Sequence, residues 1–288
     1  MRGLRFAKRQ MVYIIPGLML LAALALRVEN PQFLQVFQLK LFDLYNQIQP
    51  RPHQPAPVAI LDLDDETLSR SGMQWPWPRS RLAEMLVRLF NAGARVIAFD
   101  MVFAEADRTS PRQALSVWLN QPELDLEKLS PELRALSEPI LESIPDHDAA
   151  FANVIGQIRQ AAKNYGVVAG VVLTTETTEV LPQIKAGFAV AGDDPKPFID
   201  NFAGAVANLP LIEKEVSGVG TFNLLAESDG IIRRVPTVLR IGKQLYPSLS
   251  MEALRVFQGA STYILKASGA NMEESFGEQT GLNHVKVG

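Results

Sequence analysis

The chain has 288 residues, 47% of them hydrophobic, and a formal net charge of −3. That apolar content supports a packed core and excludes a disordered chain, while the slight negative balance argues against a nucleic-acid surface. The absence of cysteine excludes disulfides and thiolate metal sites.

Arg2, Arg5, Lys8 and Arg9 precede an uncharged run over residues 11–26. As a helix the run reaches roughly 24 Å, against a hydrocarbon core of ~30 Å. Arg9 and Arg27 can snorkel outward, which makes a single span feasible. Basic residues on the N-terminal side alone predict a cytoplasmic N-terminus, with the rest of the chain outside. A cleaved signal peptide fits the same residues, with small side chains at Ala23 and Ala25. A retained anchor is the preferred reading because the helical pattern continues through Phe33, Leu34, Phe37, Leu41, Leu44, Tyr45 and Ile48. Pro50, Pro52, Pro55 and Pro57 then predict an extended linker. The expected division is a cytoplasmic N-terminus (1–10), a transmembrane helix (11–27), a membrane-proximal helix with a proline-rich linker (28–57) and an extracytoplasmic domain (58–288).

Within that domain, residues 58–63 read as a strand and residues 79–92 as an amphipathic helix with Leu82, Met85, Leu86, Leu89 and Phe90 on its apolar stripe. Residues 95–103 read as a second strand, which predicts a parallel βαβ unit. Residues 108–144, with five prolines at or near their span from Pro111 to Pro145, read as a surface insertion containing short helical pieces. A helix over residues 148–163 and an apolar strand over 165–173 follow. Residues 174–210 read as loop. A hairpin is expected from residues 219–225 and 231–241 about Ser228-Asp229-Gly230, with a second turn at Gly242-Lys243. Residues 247–257 read as a helix with Leu249, Leu254 and Phe257 inward, and the last thirty residues are weakly patterned. The expected fold class is α/β: a βαβ-containing mixed sheet flanked by helices, with a C-terminal β-hairpin region, after one N-terminal transmembrane helix.

The chemistry concentrates between Ile60 and Glu105. Alternation puts Asp62 and Asp64 on one face of the first strand, with Asp65 at its exit. Asp64, Asp65 and Asp100 fall at the carboxyl ends of the expected strands, where open α/β sheets bind ligands, and Glu105 lies just beyond. Such acids can hold a cation, a ligand ammonium or an internal arginine; equally, Asp65 can cap a helical turn, and Arg79 or Arg81 can pair with the acids. Trp75-Pro76-Trp77-Pro78 is a stiff segment that presents two rings at small entropic cost, either to a ligand or as a plug ahead of the helix at Arg79. Of Arg233 and Arg234, one is expected to face inward and pair with an acid. His53, His147 and His284 are isolated, and there is no GxSxG, Walker-type loop or GxGxxG. The ligand-site candidates are Asp64, Asp65, Trp75, Trp77, Arg79, Asp100 and Glu105, with no catalytic set, metal site or cofactor expected.

Several motifs together resemble the type 2 CHASE domain, a sensory module of bacterial receptors. They are LKLFDLYNQIQPRP (39–52), VAILDLDDETL (58–68), WPWPRSRLAEML (75–86), GARVIAFDMVFAE (93–105), DHDAAFANVI (146–155), GVGTFNLLAESDGIIRRVPTVLR (218–240) and YPSLSMEALR (246–255). The resemblance implies one N-terminal span, the sensor outside the cytoplasm, usually three further spans, and a cytoplasmic class III nucleotide cyclase, histidine kinase or serine/threonine kinase as output. It carries over no catalytic residue. The residues shown contain no second hydrophobic span and no output domain, so the chain is expected to stop inside the sensor. The resulting expectation is a sensory input module in the bacterial inner membrane, working as a homodimer and recognising a small-molecule ligand. The alternatives are a carboxylate-dependent, metal-binding extracytoplasmic hydrolase and a dimerising membrane scaffold.

Overall fold

A computed structural model describes residues 2–52, 54–119, 139–140, 142–268 and 281–288. Part of the expected insertion therefore lies outside the described residues. The chain divides into two compact units: Met1–Asp62 with Leu225–Arg233, and Leu63–Leu224 with Arg234–Gly288.

The first unit contains helices α1 (Arg2–Glu29) and α2 (Gln32–Ile48). They meet at Asn30, whose φ is +42°, and Pro31, which has no N–H to continue the ladder. Among the described residues no single helix is long and apolar enough to cross a membrane by itself. The pair Tyr13–Glu29 and Gln32–Ile48 meets that criterion together, bent by 83°.

The second unit is a mixed α/β body. Helices α3 (Asp65–Ser71) and α4 (Arg79–Asn91) precede strand β1 (Val96–Phe99), and α5 (Pro111–Leu119) and α6 (His147–Ala161) precede β2 (Gly166–Thr174). Short strands β3 (Gly187–Ala191), β4 (Asn201–Phe202) and β5 (Gly204–Val206) lead to α7 (Pro210–Glu215) and β6 (Gly218–Thr221). The hairpin β7 (Val238–Ile241) and β8 (Gln244–Pro247), helix α8 (Leu249–Phe257), and strands β9 (Thr262–Ala267) and β10 (Leu282–Val287) complete it.

Strand β2 organises the main sheet. It runs parallel to β1 and β6 and, at its C-terminal end, antiparallel to β5. Both of its faces are covered, which is why it reads as continuous apolar sequence. Val167, Ala169 and Val171 enter a core with Leu82 and Leu86 of α4, Phe151 and Ile155 of α6, and Ile212 of α7. Phe99, Phe103 and Phe151 meet edge to face there, with centroids 5.1–5.9 Å apart. The opposite face meets α8. A Cβ on Gly220 would lie 2.6 Å from the Leu249 Cα, so this helix approaches the sheet too closely for any side chain at that position.

Two three-stranded sheets, β10-β9-β3 and β4-β7-β8, carry a second core around Tyr263, Leu265, Val238 and Leu245. Glu252 of α8 is fully buried. Its Oε1 accepts from the Val219 N–H at 3.3 Å and from Arg255 Nη2 at 2.7 Å. Its Oε2 accepts from Arg255 Nε at 2.9 Å and the Tyr263 hydroxyl at 2.7 Å. Arg255 also donates to the carbonyls of Ser217 and Ala260. Glu213 of α7 is buried as well; one carboxylate oxygen accepts from the Gln183 N–H, and the other has no hydrogen-bond donor among the described residues. Burial holds the Glu213 carboxyl above its ordinary range, against the hydrogen bond from the Gln183 backbone and the charge of Lys185.

Four expectations change. Residues 58–63 form no strand and join no sheet, with Val58, Ile60 and Leu61 exposed. Alternation fixes which way side chains point, whereas a strand also needs a neighbour to hydrogen-bond. The first expected βαβ unit is therefore absent, while the strand, helix and strand expected over 95–103, 148–163 and 165–173 form the parallel unit β1-α6-β2. Residues 174–210 hold three short strands rather than loop alone. The hairpin expected about Ser228-Asp229-Gly230 does not form, since β6 pairs with β2, whereas the second turn expected at Gly242-Lys243 joins the paired strands β7 and β8. Finally, α8 buries Glu252, Arg255 and Val256 rather than Leu254 and Phe257, because the polar network holds its inward face.

Candidate functional site

The candidate residues lie in the second unit, on α3, α4 and the loop between them, and around the end of β1. Asp64 is the N-cap of α3: its Oδ1 accepts from the Thr67 N–H at 2.8 Å and the Thr67 hydroxyl at 2.7 Å. These bonds hold its carboxyl below the ordinary carboxylate range. Asp65 lies exposed in the first turn, where its charge favours the helix dipole. Capping in this helix is thus the work of Asp64, one position earlier than the sequence suggests. Gly72, at φ +66°, closes α3 in the left-handed conformation.

The chain then enters Trp75-Pro76-Trp77-Pro78, where the Trp75–Pro76 peptide is cis. The two rings have different environments. Trp75 is 44% exposed and, with Leu68, Ser69, Gly72, Met73 and Gln74, lines a shallow open depression of about 500 Å³. Trp77 packs against the main core, and its Nε1 is buried without an acceptor among the described residues.

Arg79 begins α4 and is 9% exposed. Its Nη1 donates to Asp148 Oδ1 and its Nη2 to the Glu105 carbonyl, while the guanidinium lies 5.4 Å over the Phe103 ring. The Arg79 N–H donates to Asp107 Oδ2 at 2.7 Å. Pro78 has no side-chain cap to offer, so Asp107 serves from a distance as the acceptor for this helix start. Asp107 Oδ1 also accepts from the Thr109 N–H and hydroxyl, and His147 Nδ1 lies 3.3 Å from Oδ2. Burial raises the Asp107 carboxyl, but these donors and the nearby histidine outweigh it and lower the value overall. The Asp107 N–H in turn donates to Asp148 Oδ2 at 2.9 Å. The starts of α4 and α6 and the loop after β1 are therefore joined through two carboxylates and one arginine.

The structure thus brings Arg79 and Glu105 together, through the Glu105 backbone. Asp100 and the Glu105 side chain are exposed. Among the described residues, no group of three or more His, Asp or Glu comes together to hold a metal ion. Sequence reasoning missed Asp107 and Asp148 as partners of Arg79. The Asp146-His147-Asp148 run at the start of a predicted helix was the available clue, because Asp146 itself caps α6 and leaves Asp148 to point elsewhere. Asn208 was also missed; it accepts from the Phe103 N–H at 2.8 Å and donates to the Gly170 carbonyl at 3.1 Å, fixing β1's exit against β2.

Comparison with known families gives a match to the CHASE2 domain over residues 18–285. No curated protein and no solved structure matched the chain. The matched span covers both the WPWPR segment with its buried arginine and the Asp-Gly-x-x-Arg-Arg segment, and the chain belongs to the CHASE2 domain family, extracytoplasmic sensory domains of signalling receptors.

Proposed function

We propose that this chain is the sensory input module of a membrane-anchored bacterial receptor whose cytoplasmic output is an adenylate or guanylate cyclase, with a histidine or serine/threonine kinase as the second choice. Its N-terminus is cytoplasmic, one span crosses the inner membrane near residues 11–27, and the sensor lies in the periplasm or outside the cell. The observation that carries this reading is a sensory-family match over residues 18–285 in a chain that opens with four basic residues and an uncharged helical run. The exposed apolar side chains of α2, among them Phe37, Leu44 and Ile48, support a homodimer.

The ligand is a small organic molecule, and its candidate contacts remain Asp64, Asp65, Trp75, Trp77, Arg79, Asp100 and Glu105. Of these, Trp75 offers the ring face beside a depression, and Asp65, Asp100 and Glu105 offer free carboxylate surface. Arg79 and Asp64 have internal partners that a ligand would have to displace.

Alkaline phosphatase fused after Gly288 tests the placement. High phosphatase activity is expected; activity only from a cytoplasmic reporter at the same position overturns the reading. A thermal-shift screen with small metabolites then tests the site. A compound that raises Tm in the parent should lose that shift in Trp75→Ala.

A further inference from the structure

Residues 225–233 interrupt the second unit in sequence. The chain up to Leu224 and from Arg234 onward belongs to that unit, yet the segment itself packs in the unit of α1 and α2. The segment is therefore joined at both ends, through the chain itself, to residues of the second unit.

One side chain of the segment bonds directly to α2. The Arg233 side chain is 5% exposed. Its Nε donates to Asp43 Oδ1 and its Nη2 to Asp43 Oδ2, both at 2.7 Å. Nη1 donates to Glu227 Oε2 at 3.1 Å and Asp229 Oδ1 at 2.8 Å, and Nη2 to Asp229 Oδ2 at 2.7 Å. All five guanidinium N–H groups therefore have an acceptor. Gly230, at φ +79°, makes the turn that brings Asp229 into this position. Its N–H donates to the Glu227 carbonyl at 2.9 Å, and the Ile231 N–H donates to Asp229 Oδ1 at 3.1 Å. The paired bonds to Asp43 fix direction as well as distance, because a planar fork on a carboxylate resists rotation in a way that a lysine does not. Arg233 holds the Asp229 carboxyl down at about 2 and lowers that of Asp43 as well, so these two acids keep their charge on mild acidification.

We propose that the second unit is the sensory unit and that Arg233 is the coupling residue through which its state reaches α2, by way of its two-pronged contact with Asp43. The purpose of this coupling rests on the receptor reading, but its existence does not, and the following test uses the 288-residue chain alone.

Hydrogen exchange of the α2 amides is measured in phospholipid nanodiscs. The sensory unit is perturbed by Gly220→Ala, a site inside that unit, in the parent and in Arg233→Ala. In the parent, Gly220→Ala should speed α2 exchange roughly tenfold, within the range of ordinary coupling between sites. In Arg233→Ala the same substitution should change it less than about twofold. If Arg233→Ala alone brings α2 to full exchange, Asp43→Asn replaces it, because that variant leaves the Arg233–Asp229 pair in place. Amides of β2 report in every variant whether the sensory unit is folded. An equal response with and without Arg233, or no response at α2 in the parent, overturns the proposal. Neither result bears on the phosphatase test, so failure of the coupling and failure of the receptor reading are distinguishable.

Discussion

At the scale of single residues, the decisive feature is that the arginine following the tryptophan-proline segment is buried and already satisfied. Removing one partner of a buried pair leaves an uncompensated charge, at a cost of about 3–5 kcal/mol. Arg79→Ala should therefore lower the stability of the sensory unit by that amount in chemical denaturation, and Asp148→Ala should cost a comparable amount. A ligand-only role for Arg79 would leave the denaturation curve unmoved. Glu213 gives the opposite kind of effect. Its folded value lies above its ordinary 4.5, so its contribution is intact below that pH and is lost as pH rises through the folded value. Glu213→Gln should match the parent near pH 4 and melt at a higher temperature near pH 8; a constant difference across that range would show that the charge does not matter.

At the scale of elements, α8 lies against β6 with no room between backbones. Gly220→Ala places a methyl 2.6 Å from the Leu249 Cα, which only a backbone shift can relieve. A loss of about 1–3 kcal/mol is expected from such overpacking, readable as a lower urea midpoint. The same helix shows how far sequence reasoning reaches. Helix α4 was legible almost to the residue because its apolar stripe follows the 3.6-residue period and its inner face is apolar. Helix α8 was legible as a helix but not in its orientation, because Glu252 and Arg255 point inward and no apolar pattern announces a buried ion pair. Residues 58–63 have a strand's alternation but lack a strand's neighbour, and neighbours come from the fold rather than from the segment. At the site, an acid partner for one of Arg233 and Arg234 could be anticipated. That Arg233 takes Asp43, 190 residues away, and Arg79 takes Asp148, 69 residues away, could not, since local spacing says nothing about such distances.

At the scale of the whole molecule, the orientation proposed for the chain rests on a few charges at one end. Under that proposal, replacing Arg2, Arg5, Lys8 and Arg9 together by glutamine removes the bias that would retain this end in the cytoplasm. The phosphatase fusion should then lose most of its activity, whereas a replacement of Arg27 alone should leave it intact. Inside the sensory unit, the Glu252 carboxylate bonds at once to β6 of the four-stranded sheet and to Tyr263 of β9 in another sheet. Oily contacts tolerate slippage, since one methyl substitutes for another along an interface. Directional bonds to a charged group accept a single alignment and leave an ion stranded in any other. One buried carboxylate thus indexes the two sheets to a single register, as a key indexes a shaft.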